Sequence, residues 1–197
     1  MRVIGLTGGI GMGKSTAAAS FRRARVPVFD ADATVHALQA PGGRALPAIA
    51  RAFPGTVADG VLDRMALRAA VLGRPEALRR LEAIVHPLVR AAEAAFLAQA
   101  RRRRVPLAVL DVPLLLETGG QRRVGHVVVV SAPAAVQLQR VRRRRGMSAA
   151  QIAAVIARQM PDRQKRRLAD TVVGTGLSRH HAQRAIRRLI RNLRETP

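Results

Sequence analysis

The stretch that decides the fold runs from residue 8 to residue 16 and reads GGIGMGKST. It contains the pattern G-x-x-x-x-G-K-[ST], whose glycines let backbone N–H groups curl around phosphate oxygens. An apolar segment at residues 2–7 precedes it, and an alanine-rich segment with good helix propensity follows to about Arg23. Strand, glycine loop and helix thus occur in the order that a phosphate-binding loop requires.

Each part of this loop has a chemical task in binding ATP or GTP. Lys14 reaches the terminal phosphates, the Ser15 hydroxyl is the candidate Mg²⁺ ligand, and the following helix adds its positive end. One of only two lysines in the chain lies in the motif, which argues against a chance match. The expected nucleotide-binding residues are Gly11, Met12, Gly13, Lys14, Ser15 and Thr16.

Strands alternate with helices over the rest of the chain, which predicts an α/β fold: a mostly parallel sheet with helices on both faces. Apolar runs at 105–110 and 127–130 are typical of buried parallel strands, with Asp111 ending the first. Residues 60–100 form a predicted helical insertion, in which Asp63 caps one helix and Pro87 breaks or kinks the next. Further helices are predicted at 134–145, at 148–158 and from about Ser178.

The acidic residues indicate which reaction such a loop serves. A hydrolytic motor commonly has Asp-Glu at the end of an apolar strand, whereas here Val112 and Pro113 follow Asp111. The sequence therefore favours phosphoryl transfer to a bound hydroxyl. A hydroxyl acceptor needs a carboxylate to take its proton, and Asp30 and Asp32 both lie at the end of the second apolar stretch of the chain, residues 26–29. Their spacing does not choose between them.

Composition limits the remaining functions. The 197 residues include 35 Lys plus Arg and 12 Asp plus Glu, a net charge of +23 that calls for an anionic partner, a polyphosphate or a nucleic acid. The absence of Trp and Tyr argues against base stacking. The absence of Cys excludes thiol catalysis and suits a reducing compartment. No apolar run approaches the roughly 20 residues that span a bilayer, and no secretory signal precedes the loop. We therefore expect a cytoplasmic protein without a membrane partner.

Several short motifs together resemble the dephospho-CoA kinases, in order and over nearly the whole chain. They are TGGIG at 7–11, DAD at 30–32, PGG at 41–43, DR at 63–64, LEAIVHP at 81–87, DVPLLLETG at 111–119, QMP at 159–161, and Lys165-Arg166 with Ala169-Asp170. The resemblance implies a three-layer P-loop kinase fold with a nucleotide-binding core at about 1–40, 104–136 and 168–197. It also implies a helical CoA-binding lobe at about 60–100 and a helical lid at about 137–165.

The same resemblance implies an activity and site residues. ATP would phosphorylate the ribose 3′-hydroxyl of dephospho-CoA, with Asp32 as the base and Mg²⁺ as the metal. Arg140 and Arg144, in a Q-x-x-R-x-x-x-R pattern that begins at Gln137, lie four residues apart on a predicted helix and would clamp the phosphoryl group. Asp111 would hold Mg²⁺ through water or orient the loop. The expected catalytic residues are Asp32, Lys14 and Arg140.

Two positions depart from the family pattern, and two other functions stay open. Met12 stands where Ser is usual, and His126 stands where Asp is common. The first departure removes a side-chain contact and the second alters a local contact; neither changes the expected reaction. The alternatives are a kinase of another small acceptor, such as a nucleoside monophosphate, and a nucleic-acid-binding P-loop ATPase. ATP and dephospho-CoA are the expected partners, no obligate nucleic acid is expected, and the chain would be a monomer or weak homo-oligomer.

Overall fold

The phosphate loop follows the middle strand of a five-stranded sheet. A computed structural model describes residues 1–143, 149–157 and 159–195 of the chain. The strands are β1 (Arg2–Thr7), β2 (Val28–Asp30), β3 (Val57–Ala58), β4 (Val61–Leu62), β5 (Leu107–Asp111), β6 (His126–Ser131) and β7 (Thr171–Gly174). The main sheet has the order β2-β5-β1-β6-β7, so the loop emerges where the strand order reverses. Ligands of open α/β sheets bind at that point, beyond the carboxyl ends of the strands.

Helices cover both faces of this sheet, as the sequence predicted. The helices that the structure describes are α1 (Lys14–Arg23), α2 (Ala31–Leu38), α3 (Leu46–Ala52), α4 (Arg64–Val71), α5 (Pro75–Arg102), α6 (Ala134–Arg142), α7 (Ala149–Ala157), α8 (Asp162–Arg167) and α9 (Arg179–Glu195). Strand β1 pairs in parallel with β5 and β6, and β6 pairs in parallel with β7. Val128 and Val130 of β6 pack in one core with α1 and α9, whereas Val127 and Val129 pack in another with Leu115. The sheet is therefore buried on both sides.

The chain divides into two compact units. One contains residues 1–29 and 99–197, and the other contains residues 30–98. The second unit has its own core, which includes Ile49, Phe53 and Leu67. This unit begins at residue 30, well before the helical insertion that the sequence predicted from about residue 60. It also contains a small antiparallel hairpin, β3–β4, that turns at Asp59 and Gly60.

The helix boundaries match the sequence signals at some positions and not at others. The Asp63 carboxylate caps α4 by accepting hydrogen bonds from Met65 N at 2.9 Å and Ala66 N at 3.0 Å. The sequence predicted either a break or a kink near Pro87. The break is wrong, because α5 continues from residue 75 to residue 102. An internal proline costs about 3 kcal/mol, and the burial of Val85 together with the packing of Leu81, Ile84 and Leu88 against the second core offsets that cost.

Three predicted helix ends lie outside the described residues. Helix α6 is described to Arg142, so the predicted end of that helix at residue 145 and both predicted ends of the next helix, at residues 148 and 158, are not described. Within the described ranges, no helix is long and apolar enough to cross a membrane.

The departure at His126 gives the fold a specific pH dependence. His126 Nε2 lies 2.8 Å from Thr171 Oγ1, at the start of β6. Burial lowers the pKa of His126; Asp170 acts in the opposite direction, and Arg2 lowers the pKa further. The unfolded chain therefore binds a proton at this position more readily than the folded chain does. The contribution of neutral His126 to the free energy of unfolding is fully present above the ordinary histidine pKa of about 6.5. It is lost as the pH falls through the lower pKa of the folded state.

We predict that acidification destabilises the wild-type chain more than a His126→Gln variant. Urea denaturation at about pH 7.5 and about pH 5.5 measures the free energy of unfolding of both proteins. The difference between the two proteins isolates the imidazole, because the other charged groups are the same in each. Equal losses on acidification would show that His126 does not titrate differently in the folded state.

Candidate active site

The phosphate loop leaves β1 through a buried threonine and enters α1 through a glycine. Thr7 is fully buried, and its hydroxyl donates to Pro113 O at 2.9 Å, which ties the end of β1 to the segment after β5. Gly13 has a φ of 89°, a left-handed conformation that glycine adopts without strain. A Cβ atom there would also come within 3.1 Å of Thr175 Oγ1. The local chain thus requires the glycine of the motif immediately before Lys14.

Lys14 and Asp111 form an ion pair beside the loop. Lys14 Nζ lies 2.6 Å from Asp111 Oδ1, and the Asp111 side chain is only 4% exposed. Helix α1 supplies the lysine and the carboxyl end of β5 supplies the aspartate. A charge-assisted contact of this kind is strong in a partly dry site. It holds the ammonium group at the edge of the sheet where phosphates would bind.

Thr175 connects the loop to the end of the sheet. The residue is buried, and its hydroxyl donates to Met12 O at 2.7 Å. Its backbone N–H donates to Ser131 O at 2.8 Å, so β6 and β7 fix its position. Thr175 was not predicted from the sequence, although a polar residue two positions after the apolar pair Val172-Val173 is a usable signal at this edge.

Arg140 contacts the same threonine and the loop. Its guanidinium donates to Thr175 O at 2.6 Å, to Thr175 Oγ1 at 3.1 Å and to Gly11 O at 3.4 Å. The structure therefore brings Arg140 to the phosphate loop, where the sequence analysis expected a positive clamp. Its partner in that expectation, Arg144, lies outside the described residues.

A second lysine–carboxylate pair lies behind the site. Lys165 is 1% exposed, and its ammonium nitrogen lies 2.7 Å from Glu117 Oε1. The same carboxylate oxygen accepts a hydrogen bond from Met160 N at 2.9 Å. Glu117 follows β5, whereas Lys165 lies in α8, so this pair joins the segment after β5 to α8, and the Met160 contact joins it to the segment that precedes α8.

Met12, one of the two departures, turns its side chain away from the phosphate side of the loop. It is buried in the core that α1 and α9 share, and its sulfur accepts the Ala132 N–H at 3.2 Å. A methionine is therefore accommodated by packing. The backbone of the loop keeps its course, which agrees with the expectation that the loop binds phosphate through its main chain.

The two candidate bases lie in the second unit, and the structure distinguishes them. Asp30 Oδ1 accepts the Ala33 N–H at 3.0 Å and so caps α2. Asp32 lies in the first turn of α2 and is exposed. One carboxylate thus has a capping role within its own helix, and the other is presented to solvent.

A phosphate loop at the switch point of a parallel sheet, with a lysine paired to a buried aspartate, defines the class of P-loop phosphotransferases. A family model described as dephospho-CoA kinase matches residues 2–178. The chain belongs to the dephospho-CoA kinase family, which confirms the resemblance seen in its motifs.

Individual relatives agree with this assignment. A dephospho-CoA kinase from Gluconobacter oxydans is 56% identical over 99% of both chains. The crystal structure of TT1252 from Thermus thermophilus has a TM-score of 0.83 at 37% identity, covering 98% of this chain and 97% of its own. A dephospho-CoA kinase from Campylobacter jejuni shares the fold, with a TM-score of 0.67 at 21% identity over 98% of this chain and 97% of its own.

We predict that Thr175→Val destabilises the protein. Valine has nearly the same shape but cannot donate to Met12 O, so a buried carbonyl loses its partner at a cost of about 1–3 kcal/mol. Urea denaturation measures the change in the free energy of unfolding. Thr118→Val is the matched control, because the Thr118 hydroxyl is exposed and donates only to Leu114 O in its own turn. A loss no larger than that of the control would contradict the role given to Thr175.

Proposed function

We propose that this chain transfers the γ-phosphate of ATP to the ribose 3′-hydroxyl of dephospho-CoA, giving CoA and ADP. The observation that carries this proposal is the Lys14–Asp111 pair beside a complete phosphate loop, in a member of the dephospho-CoA kinase family. ATP and dephospho-CoA are then its partners. No nucleic acid or membrane is required, and we expect a monomer or weak homo-oligomer in the cytoplasm.

The nucleotide side of the reaction belongs to residues 11–16. The backbone N–H groups of Gly11 and Gly13 would face the phosphates, with Lys14, Ser15 and Thr16 at the start of α1. The Met12 N–H donates to Gly9 O at 3.1 Å, so Met12 would contribute by fixing the course of the loop. The positive end of that helix favours an anion. Lys14 would stabilise the charge that develops on the phosphoryl oxygens during transfer.

Mg²⁺ fits the chemistry of the residues present. Mg²⁺ prefers oxygen ligands and usually keeps several waters while it binds one or two protein groups and substrate phosphates. The Ser15 hydroxyl at the start of α1 is such a group, and the Asp111 carboxylate lies beside the neighbouring Lys14. Within the described residues no group of three or more His, Asp or Glu could bind a metal without the nucleotide. We therefore assign Mg²⁺ to Ser15 and the phosphates; when bound, it would neutralise the phosphate charge.

Asp32 is proposed as the base that takes the proton of the ribose hydroxyl. Its exposed position supports this role, since a catalytic carboxylate has to reach the substrate. Asp30 accepts a hydrogen bond from its own helix and supports the backbone there. The resemblance to the family points to the same residue, the second Asp of Asp-Ala-Asp.

Arg140 is proposed to act from its place against the loop. Its guanidinium is held by Thr175 and Gly11 O, so the positive charge is fixed before substrates bind. Fixed charges of this kind need no reorganisation during the reaction. Arg144 would supply a second charge from the same segment.

An acceptor panel tests the function itself. With ATP and Mg²⁺, the purified chain should release ADP when dephospho-CoA is added, and far less with nucleoside monophosphates. ADP release that depends on another acceptor would show that this acceptor, and not dephospho-CoA, is the substrate. Nucleic-acid-stimulated hydrolysis with steeply salt-dependent binding would favour the ATPase alternative.

We predict that Asp32→Asn lowers kcat by about 10²–10⁴-fold while ATP binding is kept. Asp30→Asn is the matched control, because asparagine also caps helices well and should leave kcat close to wild type. Lys14→Ala should reduce kcat and ATP affinity together. Steady-state ADP release, with ATP affinity by calorimetry, measures each variant. Near-normal turnover of Asp32→Asn would remove Asp32 as the base.

A further inference from the structure

Two glutamines hold both backbone polar groups of Ile10, in the middle of the phosphate loop. Gln159 Oε1 accepts the Ile10 N–H at 2.9 Å, and Gln137 Nε2 donates to Ile10 O at 2.9 Å. We call these two contacts the glutamine clasp. The polarity of each contact is fixed by chemistry, since a backbone N–H needs an acceptor and a carbonyl needs a donor.

The clasp is built on rigid supports within one compact unit. Gln137 lies in α6, and its backbone N–H donates to Pro133 O at 2.9 Å. Gln159 precedes Met160, whose N–H donates to Glu117, the partner of the buried Lys165. The two glutamines are 22 positions apart in sequence and converge on one peptide unit.

The neighbouring glycine shows how closely the clasp fits the loop. A Cβ atom at Gly9 would lie 3.3 Å from Gln159 Oε1 and 3.4 Å from Gln137 Nε2. Both amide groups therefore pack directly against the Gly9–Ile10 backbone. A glycine at position 9 leaves the space that the two side chains use.

We propose that Gln137 and Gln159 are positioning residues for ATP, a role that rests on the proposed function of the loop. With both groups of Ile10 held, the peptide planes on either side of it cannot rotate freely. The N–H groups of Gly11 and of residues 13–15 then keep the orientation that phosphates require before ATP arrives. Such preorganisation raises affinity, because less ordering remains to be done on binding. It acts on ATP and leaves the acceptor side unchanged.

Opposite hydrogen-bond polarity provides a sharp test. Gln159→Glu keeps an oxygen that can accept the Ile10 N–H, whereas Gln137→Glu loses the donor and sets a carboxylate against Ile10 O. Both variants add the same charge beside the same residue, so the difference between them isolates hydrogen bonding. We expect Gln137→Glu to bind ATP about tenfold more weakly than Gln159→Glu. Gln137→Met and Gln159→Met, which are neutral, should each weaken ATP binding by about fivefold or more.

Calorimetric titration with ATP measures these affinities, and steady-state kinetics measures KM for both substrates. KM for ATP should rise while KM for dephospho-CoA stays within about twofold. Gln139→Glu, on the exposed side of α6, and Gln164→Glu, exposed in α8, control for the added charge. Thermal unfolding of each variant identifies any general loss of structure.

Equal ATP affinities for the two Glu variants, or wild-type ATP affinity in both Met variants, would overturn the proposed role of the clasp in positioning the loop for ATP. Lower melting temperatures with unchanged ATP affinity would also overturn it, since they indicate a purely structural role. ATP titration needs no acceptor. A wild-type chain that binds ATP but does not phosphorylate dephospho-CoA would therefore refute the proposed function and still leave the clasp to be judged by its own result.

Discussion

A loop that offers its backbone N–H groups to phosphate cannot use those groups to hold its own shape. In this chain three carbonyl groups take over that task, together with the Ile10 N–H, which Gln159 accepts, and the Met12 N–H, which Gly9 O accepts. Three successive carbonyls of the loop accept hydrogen bonds from side chains: Ile10 O from Gln137, Gly11 O from Arg140 and Met12 O from Thr175. Two donors come from α6 and the third follows β7. The geometry of the phosphate loop therefore depends on elements far from it in sequence.

The two lysines of the chain have similar environments. Lys14 pairs with Asp111, the buried last residue of β5, and Lys165 pairs with Glu117, six residues further along the chain. All other basic residues counted as Lys plus Arg are arginine. An ammonium group is a compact point charge, whereas guanidinium is a wide planar fork that needs more room. Lysine therefore suits these two positions, where a cation makes one short contact with a carboxylate in limited space. Removing one partner of such a buried pair costs about 3–5 kcal/mol.

Local signals explain how much of the fold could be predicted from sequence. The apolar run before the loop, the Asp63 cap and the apolar face of α9 each lie within a few neighbouring residues, and the structure has them where they were expected. The hairpin β3–β4 was not predicted, because strands of two residues show no periodicity. For α5 the sequence predicted a break or a kink at Pro87; that the helix continues through this proline depends on its packing against the second core.

The residues of the candidate site also fall into two groups, those that the sequence predicted and those that it did not. The motif identified Lys14 and Ser15, and the family pattern identified Arg140. The contacts of Thr175 and Gln159 with the loop join residues more than 140 positions apart, and neither residue belongs to a pattern with a known mechanism. For the two aspartates, spacing left the choice open and the resemblance to the family favoured Asp32; the structure adds that Asp30 caps α2, a contact that depends on the local backbone.

The positive charge can now be related to the fold. Five arginines of α9, at positions 184, 187, 188, 191 and 194, are exposed, while the apolar face of the same helix packs with α1. Exposed charge of this kind attracts anions in general and supports solubility. Binding of single-stranded nucleic acid also needs aromatic rings on which bases can stack. Phe21, Phe29 and Phe53 are buried, and the remaining aromatic residue, Phe96, is partly buried. The charge therefore suits small polyphosphate substrates better than a nucleic-acid strand.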